Sequence, residues 1–197
     1  MKDRTRIFDV FIAGFCLLAM LPLFILVALL VRLSSKGPIL FRQVRVGMYN
    51  RDFVIYKFRT MYTDTHHKSA LTVGDNDPRI TVIGFFLRKY KLDEMPQLLN
   101  VLKGDMSMVG PRPELRKFVN MYSEEQKKVL LVRPGITDYA SVEYKNENEL
   151  LASVNNPENY YVHYIMPKKI DLNNKYLQDK SLSNYFRIIL HTVFHSA

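Results

Sequence analysis

Residues 10–31 form one uncharged stretch, VFIAGFCLLAMLPLFILVALLV, that decides how this chain is organised. About 20 apolar residues suffice for a helix to cross a bilayer, and this run is too long for the apolar part of a cleaved signal peptide. Pro22 lies near its centre, where a proline removes one backbone hydrogen bond and its ring clashes with the preceding turn. The sequence therefore predicts a membrane helix that is kinked or broken at Pro22.

Basic residues flank the stretch on both sides: Lys2, Arg4 and Arg6 precede it, and Arg32, Lys36, Arg42 and Arg45 follow it. Segments rich in Lys and Arg stay on the cytoplasmic side of a membrane. A bent helix that enters and leaves one leaflet keeps both flanks on that side, whereas a spanning helix keeps only one. From the residues alone, both the re-entrant and the spanning helix remain open.

The composition favours a folded protein with an anionic partner. Of the 197 residues, 48% are apolar, which is enough to bury a core. Lys and Arg outnumber Asp and Glu by 28 to 19, and the net charge of +9 favours a phosphorylated substrate, anionic lipid or nucleic acid. Cys16 is the single cysteine, which excludes an intramolecular disulfide and a cysteine-based zinc site.

The pattern beyond residue 36 is typical of a small α+β domain that is mostly helical. It predicts short strands at 39–41 and 53–58, joined by a turn at 49–52, helices at 83–90, 95–102, 114–131 and 185–194, and irregular loops at 63–77 and 146–159. Gly104 is expected to end the second helix. The last helix has an apolar face that fits either core packing or an interfacial position on the membrane. We divide the chain into a membrane segment, 1–36, and a domain, 37–197.

Asp93 and Glu94 begin the Leu-rich second helix, with Pro96 in its first turn. Carboxylates at a helix start are common because the helix dipole stabilises them by about 0.3–1 kcal/mol. The alternative is functional: an ionised Asp can act as a nucleophile or bind a divalent cation. The residues alone do not separate these two interpretations.

Basic residues that could bind phosphate surround this pair in the sequence: Lys57, Arg59, Arg79, Arg88 and Arg112. Arg112 lies in Gly110-Pro111-Arg112-Pro113, where the two prolines stiffen the backbone on either side of a side chain suited to bidentate phosphate binding. A solvated basic surface is the alternative for any single one of them. His66-His67 are poorly spaced for a metal site, and the chain has no phosphate-binding glycine loop or nucleic-acid-binding motif.

Taken together, the motifs resemble the bacterial sugar transferase family, the monotopic phosphoglycosyl transferases, in their minimal form. The resemblance is carried, in order, by residues 6–9 (RIFD), 37–43 (GPILFRQ), 56–61 (YKFRTM), 77–81 (DPRIT), 92–107 (LDEMPQLLNVLKGDMS), 109–113 (VGPRP) and 133–137 (RPGIT). It covers about two-thirds of the chain, and an ordered set of motifs is far more specific than any one of them.

The resemblance implies a fold, a reaction and a location. It implies a re-entrant helix broken at Pro22, and a cytoplasmic catalytic domain with interfacial amphipathic helices on the bacterial inner membrane. It implies transfer of a sugar-1-phosphate from a nucleotide sugar to a polyprenyl phosphate, an early membrane step of glycoconjugate synthesis. It implies that Asp93 forms a covalent phosphosugar intermediate and that Asp93 and Glu94 bind Mg2+. For this reaction we predict substrate contacts by the basic residues Lys57, Arg59, Arg79 and Arg88 and by the 110–113 loop, and a homo-oligomer stays open.

The chain departs from the family pattern at two places. Leu21 precedes Pro22 where many members have Ser, and Asp138-Tyr139 follow Thr137 where many have Gly. Residues 141–176 match the family poorly, so the identity of the sugar does not carry over. Two other functions remain open: a membrane-tethered basic binding module without activity, and a glycosyltransferase that releases a nucleoside diphosphate.

Overall fold

The computed structural model describes residues 5–63, 77–144 and 146–195. The fold is α+β and mostly helical, as predicted. The helices are α1 Thr5–Ala19, α2 Leu21–Ser34, α3 Val82–Lys89, α4 Leu98–Lys103, α5 Arg116–Val119, α6 Tyr139–Glu143, α7 Glu147–Ala152, α8 Pro157–Tyr160, α9 Met166–Gln178 and α10 Leu182–His195. The strands are β1 Leu40–Val46, β2 Asp52–Phe58, β3 Ser107–Val109 and β4 Gly135–Thr137.

The uncharged stretch forms a bent helix pair. Helix α1 ends at Ala19, α2 begins at Leu21, and the two are bent by 64°. Pro22 lies in the first turn of α2, where its missing N–H is tolerated, but it cannot continue the hydrogen bonding of α1. Helix α1 passes through Gly14 without interruption, so the break lies at the proline. No single described helix is long and apolar enough to cross a membrane, although the bent pair together has that length and composition.

Strands β1 and β2 form an antiparallel hairpin that pairs Leu40 with Phe58 at one end and Val46 with Asp52 at the other. This hairpin is longer than the sequence predicts. The Asn100 side chain from α4 continues the pairing at the edge of β2, because its amide accepts the Tyr56 N–H at 3.1 Å and donates to the Val54 carbonyl at 2.7 Å. Helix α4 is therefore fixed against the hairpin.

Strands β3 and β4 pair in parallel, with Ser107 opposite Gly135 and Val109 opposite Thr137. Two glycines permit the close approach of the chains at this sheet. A Cβ on Gly135 would lie 2.1 Å from the Gly110 nitrogen, a distance that no side chain tolerates. The segments that follow both strands leave the sheet at the same edge, since the strands are parallel.

Two sequence predictions of helical content are corrected by the structure. The predicted helix at 114–131 divides into α5 and a 3₁₀ helix, Gln126–Leu131, because Ser123 and Gln126 exchange side-chain-to-backbone hydrogen bonds of 2.9 and 3.2 Å that start a new turn. The predicted irregular loop at 146–159 contains α7 and α8, since the Asn156 side chain caps α8 and Leu151 is buried in the core. Most of the loop predicted at 63–77 lies outside the described residues.

Helix α1 is docked on the domain through polar contacts. The fully buried Asp9 carboxylate accepts hydrogen bonds from the Ser107 hydroxyl, the Met108 N–H and the Tyr185 hydroxyl, each at 2.9 Å. Arg6 donates to the carbonyl of Val101 at 2.6 Å, at the end of α4. One side of the N-terminal helix pair thus packs against the rest of the fold.

Helix α10 packs one side of its apolar face into the core and leaves the other side exposed. Tyr185 and Ile188 are buried against Val109 of β3 and Tyr176 of α9. Other large apolar side chains on the same helix are exposed: Phe186, Leu190, Val193 and Phe194. Core packing is therefore confirmed for one side, and the other side is left uncovered by the described residues.

Candidate active site

The predicted acidic pair lies on a short 3₁₀ helix, Leu92–Gln97, that leads directly into α4. The chain reaches it from α3 through Lys91, which adopts a left-handed conformation with φ 56° and turns the backbone sharply. Asp93 and Glu94 lie in the first turn of this helix, as the sequence predicts. Because the helix packs on β2, both carboxylates lie beside the hairpin.

Glu94 binds two cations at once. Lys57 of β2 donates to its Oε1 atom at 2.7 Å. Arg112 forks onto the same carboxylate, with Nη1 donating to Oε2 at 3.1 Å and Nη2 donating to Oε1. Three residues from distant parts of the sequence, all of them predicted site residues, thus form one ion cluster.

This cluster keeps Glu94 ionised. Burial alone would raise the pKa of the Glu94 carboxyl, but Arg112 and Lys57 outweigh it and hold that pKa well below its usual range. In return, Glu94 raises the pKa of Arg112, whereas burial lowers that of Lys57. The cluster is a charged unit that survives partial burial because each charge is paired.

Asp93 has a contrasting environment. It is 8% exposed, and its carboxylate forms no hydrogen bond or ion pair with the described residues. Burial raises the pKa of Asp93, and the neighbouring negative charge of Glu94 raises it further, against the opposing effect of Lys57, Arg88 and Lys91. Adjacent carboxylates with opposite pKa shifts are suited to different chemical roles.

Arg88 in the last turn of α3 supplies a further positive charge near Asp93. Its charge opposes the rise in the pKa of Asp93. It also contributes to the lowered pKa of Asp77. Arg88 is half-buried, yet within the described part of the chain its guanidinium has no hydrogen-bonding partner. A half-buried arginine in this state is available to an anion.

The loop that carries Arg112 is anchored at each residue. The Gly110 N–H donates to the Thr137 carbonyl, and the Pro111 carbonyl accepts from the Gly135 N–H, both at 3.0 Å. The Arg112 N–H donates to Asp138 Oδ2 at 3.1 Å, and the Pro113 carbonyl accepts from Arg45 Nη1 at 3.2 Å. These backbone bonds fix the shape of the loop at Gly110, Pro111 and Pro113. Within this loop, only Arg112 contacts Glu94 through its side chain.

The sequence analysis did not identify Asp138, Arg45 or Asn100 as contributors to this site. Asp138 follows a strand and precedes α6, and a helix-capping pattern could have located it but not its bond to Arg112. Arg45 and Asn100 carry no local signal of this kind, because each binds a backbone group far away in the sequence.

Arg59, which the sequence predicts to bind phosphate, binds backbone carbonyls at the junction between α2 and β1. It is 4% exposed, and its guanidinium donates to the carbonyls of Val31 at 3.0 Å, Ser35 at 2.6 Å and Pro38. These carbonyls lie at the end of α2 and in the junction to β1, where a cation favourably meets the negative end of a helix. These bonds stabilise the junction, and substrate contact by Arg59 stays a prediction.

Arg79 forks onto Asp77 two residues earlier, with Nε at 2.9 Å from Oδ1 and Nη2 at 2.5 Å from Oδ2. This fork holds the pKa of Asp77 below its usual range. The pair orders the segment that leads into α3, which carries Arg88. Substrate contact by Arg79 stays a prediction.

The residues present accommodate a magnesium ion only in part. The described ranges contain no group of three acidic, histidine or cysteine side chains that could hold a metal ion. Magnesium, however, is often held by one or two carboxylates together with substrate phosphates and water. The carboxylate of Asp93 is uncommitted, whereas both oxygens of Glu94 accept hydrogen bonds from cations. His66, His67, Asp75 and Asn76 lie outside the described residues.

The family model described as bacterial sugar transferase matches residues 2–197 of the chain. The chain belongs to this family. It is 48% identical over 124 residues to a UDP-N-acetylgalactosamine-undecaprenyl-phosphate N-acetylgalactosaminephosphotransferase of Aeromonas hydrophila, an alignment that covers 61% of this chain and 29% of that protein.

Two further relatives of this bacterial sugar transferase are both named UDP-glucose:undecaprenyl-phosphate glucose-1-phosphate transferase. The Escherichia coli protein is 35% identical over 94% of this chain and 38% of its own length. The Caulobacter vibrioides protein is 37% identical over 96% of this chain and 68% of its own length. The chain thus spans less than two-fifths of the length of the Aeromonas hydrophila and Escherichia coli relatives.

Proposed function

We propose that this bacterial sugar transferase moves a sugar-1-phosphate from a UDP-sugar to undecaprenyl phosphate, releasing UMP. The names of its relatives supply the substrate classes. The observation that carries the proposal is the contrast within the acidic pair. Asp93 is a buried carboxylate without a described partner, and it lies beside Glu94, which gathers Lys57 and Arg112 into one cluster.

In the first step, a carboxylate oxygen of Asp93 attacks the sugar-bearing phosphorus of the donor. The bond formed is Asp93 oxygen to phosphorus, and the bond broken is the phosphoanhydride, whose electrons leave with UMP. The Asp93 carboxylate has no hydrogen bond or ion pair with the described residues, so its oxygens are open for this attack.

In the second step, a phosphate oxygen of undecaprenyl phosphate attacks the same phosphorus. The Asp93–phosphorus bond breaks, which returns the carboxylate and leaves an undecaprenyl-diphosphate-sugar. Both steps develop negative charge on the transferred phosphoryl oxygens, and preorganised cations stabilise such charge. Arg88 and Arg112 are the cations placed for this role, because Arg88 has no described partner and Arg112 retains three N–H groups beyond its fork on Glu94.

Glu94 acts as the organiser of the site in this proposal. Its ionised carboxylate fixes Lys57 and Arg112 relative to Asp93, and no proton transfer by Glu94 is needed in either step. Magnesium would be held by Asp93 together with the donor diphosphate. It would neutralise part of the negative charge of the diphosphate.

The covalent step is tested with a UDP-sugar that carries ³²P at its sugar-bearing phosphorus. Purified protein without acceptor lipid should acquire protein-bound ³²P and release UMP in equal amount. Addition of undecaprenyl phosphate should move the label into lipid. Asp93→Asn keeps the size of the side chain but loses the nucleophile, so we expect no bound label and at least a 10³-fold lower turnover, on the order found for lost nucleophiles.

Asp171→Asn is the matched control, because Asp171 is an exposed residue of α9 and the same chemical change there should leave labelling intact. Labelled Asp93→Asn protein would rule out Asp93 as the nucleophile. Release of UDP by the wild type would instead establish cleavage of the sugar–oxygen bond by a glycosyltransferase. Absence of nucleotide release with every UDP-sugar tried would favour the basic binding module.

We also propose that α1 and α2 enter and leave the cytoplasmic leaflet of the inner membrane as a re-entrant pair. Three large apolar residues of α1, Phe11, Phe15 and Leu18, are 74%, 73% and 77% exposed. Further exposed apolar side chains lie on α2, α3 and α10: Ile25, Leu29, Leu33, Val82, Phe86, Val193 and Phe194. Water-soluble monomers rarely expose so much apolar surface, and a bilayer would cover it. The 64° bend and the basic flanks favour return to the same side, with the active site at the depth of lipid headgroups.

A further inference from the structure

Asp138 is a buried carboxylate that contacts two separate parts of the fold. It follows β4 directly and is 1% exposed. Its Oδ2 atom accepts the backbone N–H of Arg112 at 3.1 Å, and its Oδ1 atom accepts the N–H of Ser141 at 2.6 Å. One side chain therefore joins the loop that carries Arg112 to the first turn of α6.

The bond to Arg112 satisfies the single N–H donor of a proline-flanked segment. Pro111 and Pro113 have no N–H, so the backbone of Pro111-Arg112-Pro113 contains only the Arg112 donor. A buried N–H without an acceptor is costly, and a carboxylate makes a stronger hydrogen bond than a neutral oxygen. Asp138 thus decides the orientation of the peptide from which the Arg112 side chain projects.

Helix α10 holds Asp138 from both sides. The hydroxyl of Thr137, the preceding residue, is hydrogen-bonded to the Thr192 hydroxyl at 2.6 Å. The hydroxyl of Tyr139, the following residue, donates to Asn184 Oδ1 at 2.5 Å. Asp138 is therefore held by α10 as well as by the loop that it binds, and it can act as a reference point for Arg112.

We propose that Asp138 is a positioning residue for the transfer reaction: it fixes the backbone of Arg112 relative to α10, so that the guanidinium meets Glu94 and the transferred phosphate in one orientation. The inference rests on the proposed function, because it gives Arg112 a role in the transfer step. At position 138 many family members have glycine, and the inference gives a role to the aspartate that this chain has there.

Asp138→Asn separates this role from helix capping. Asparagine is itself a good capping residue, and its amide oxygen should stay with the shorter bond to Ser141. Its NH2 group then faces the Arg112 N–H, so that bond is lost. We expect kcat for UMP release to fall about tenfold, a change typical of residues coupled in one network, with a melting temperature within a few degrees of wild type.

Asp179→Asn is the matched control, because Asp179 likewise accepts a backbone N–H, that of Ser181 at 3.1 Å, at the start of α10. It should leave kcat unchanged. Asp138→Ser is a second test variant that retains a capping oxygen and removes the bond to Arg112, so it should lower kcat in the same way.

A double variant distinguishes positioning from general loosening of the fold. If Asp138 acts through Arg112, Asp138→Asn should cost clearly less in an Arg112→Lys background than in wild type, because the fork that it orients is already lost. Equal losses in both backgrounds, or unchanged kcat in both Asp138 variants, would overturn the inference. A wild-type protein that releases no UMP would refute the proposed function instead.

Discussion

At the scale of single residues, two adjacent carboxylates behave differently because of what surrounds them. Glu94 is fully engaged by Lys57 and Arg112, whereas Asp93 has no described partner. The pKa of Glu94 is therefore lowered and that of Asp93 raised. This difference is the basis for our proposal that Glu94 organises the cations and that Asp93 is the reacting group.

Replacement of Arg112 by lysine tests whether its fork on Glu94 is needed. Arg112→Lys keeps the charge, but an ammonium is a point charge that cannot bridge both carboxylate oxygens and a phosphate in one plane. We expect kcat for UMP release to fall about tenfold or more. Arg116→Lys, the same change at an exposed arginine that pairs with Asp52, should have no effect. Equal rates for wild type and Arg112→Lys would place Arg112 outside the reaction.

At the scale of elements, a two-stranded parallel sheet brings the arginine loop to the acidic pair. Strands β3 and β4 contain three residues each, and the contact between Gly110 and Gly135 lets their backbones approach closely. The loop after β3 carries Arg112, and Asp138 directly follows β4. A very short sheet can position catalytic groups because buried glycines leave the two chains little freedom to separate.

Gly135→Ala should disrupt this sheet. Its Cβ would lie 2.1 Å from the Gly110 nitrogen and 2.5 Å from the Gly110 oxygen, and backbone atoms cannot rotate away. We expect the free energy of unfolding to fall by about 3 kcal/mol, as for severe overpacking, and activity to fall with it. Gly14→Ala is the control: beyond the backbone of α1 itself, no atom of the described residues lies within 4 Å of the added Cβ, and alanine favours a helix. Thermal unfolding in detergent compares the two, and a Gly135→Ala protein as stable as wild type would contradict the tight contact.

At the scale of the whole molecule, the N-terminal helices contribute one side to the core and leave the other side exposed and apolar. Ala13 packs with Leu98 and Val101 of α4, and Val27 and Val31 pack with Phe58 and Leu87. The opposite sides of α1 and α2 are exposed and apolar. The candidate active site is therefore packed directly against the proposed membrane anchor, and under our proposal the depth of the anchor would set the height of Asp93 relative to the lipid.

Cysteine labelling tests the re-entrant topology. In a Cys16→Ala background, single cysteines at Lys2 and Lys36 should both resist a membrane-impermeant maleimide on intact cells and react after permeabilisation. Pro22→Leu restores the missing donor and removes the ring clash, so the 22-residue apolar stretch can straighten to about 33 Å, enough to cross a bilayer. We expect partial labelling at position 2 on intact cells and lower activity for this variant.

Labelling of one end only in the protein with Pro22 would establish a spanning helix. Full activity and unaltered labelling after Pro22→Leu would show that tertiary docking, such as the bonds of Asp9 to β3 and α10, maintains the bend without the proline. Leu18→Ile is a control within the same stretch, because it changes the shape of an exposed apolar residue without affecting the backbone.

The sequence by itself determined the features that depend on neighbouring residues. Pro22 marks the helix break, Gly104 adopts the left-handed conformation that ends α4, and Asp93-Glu94 begin a helix. Each follows from local backbone chemistry, and the ordered motifs placed the chain in its family. The α+β class and most element positions before residue 113 followed from the same local signals.

Only the tertiary structure decided which groups meet. Residues 146–159 look polar and irregular in sequence, yet they form helices because Leu151 is buried in the core. Arg59 looks like a phosphate ligand, yet it caps the end of α2, and Asp138 carried no signal of its bond to Arg112. The partners of Glu94 lie 37 and 18 residues away from it. Periodicity and turn chemistry act over a few residues, whereas charge pairing is decided by which backbones the packed core brings together.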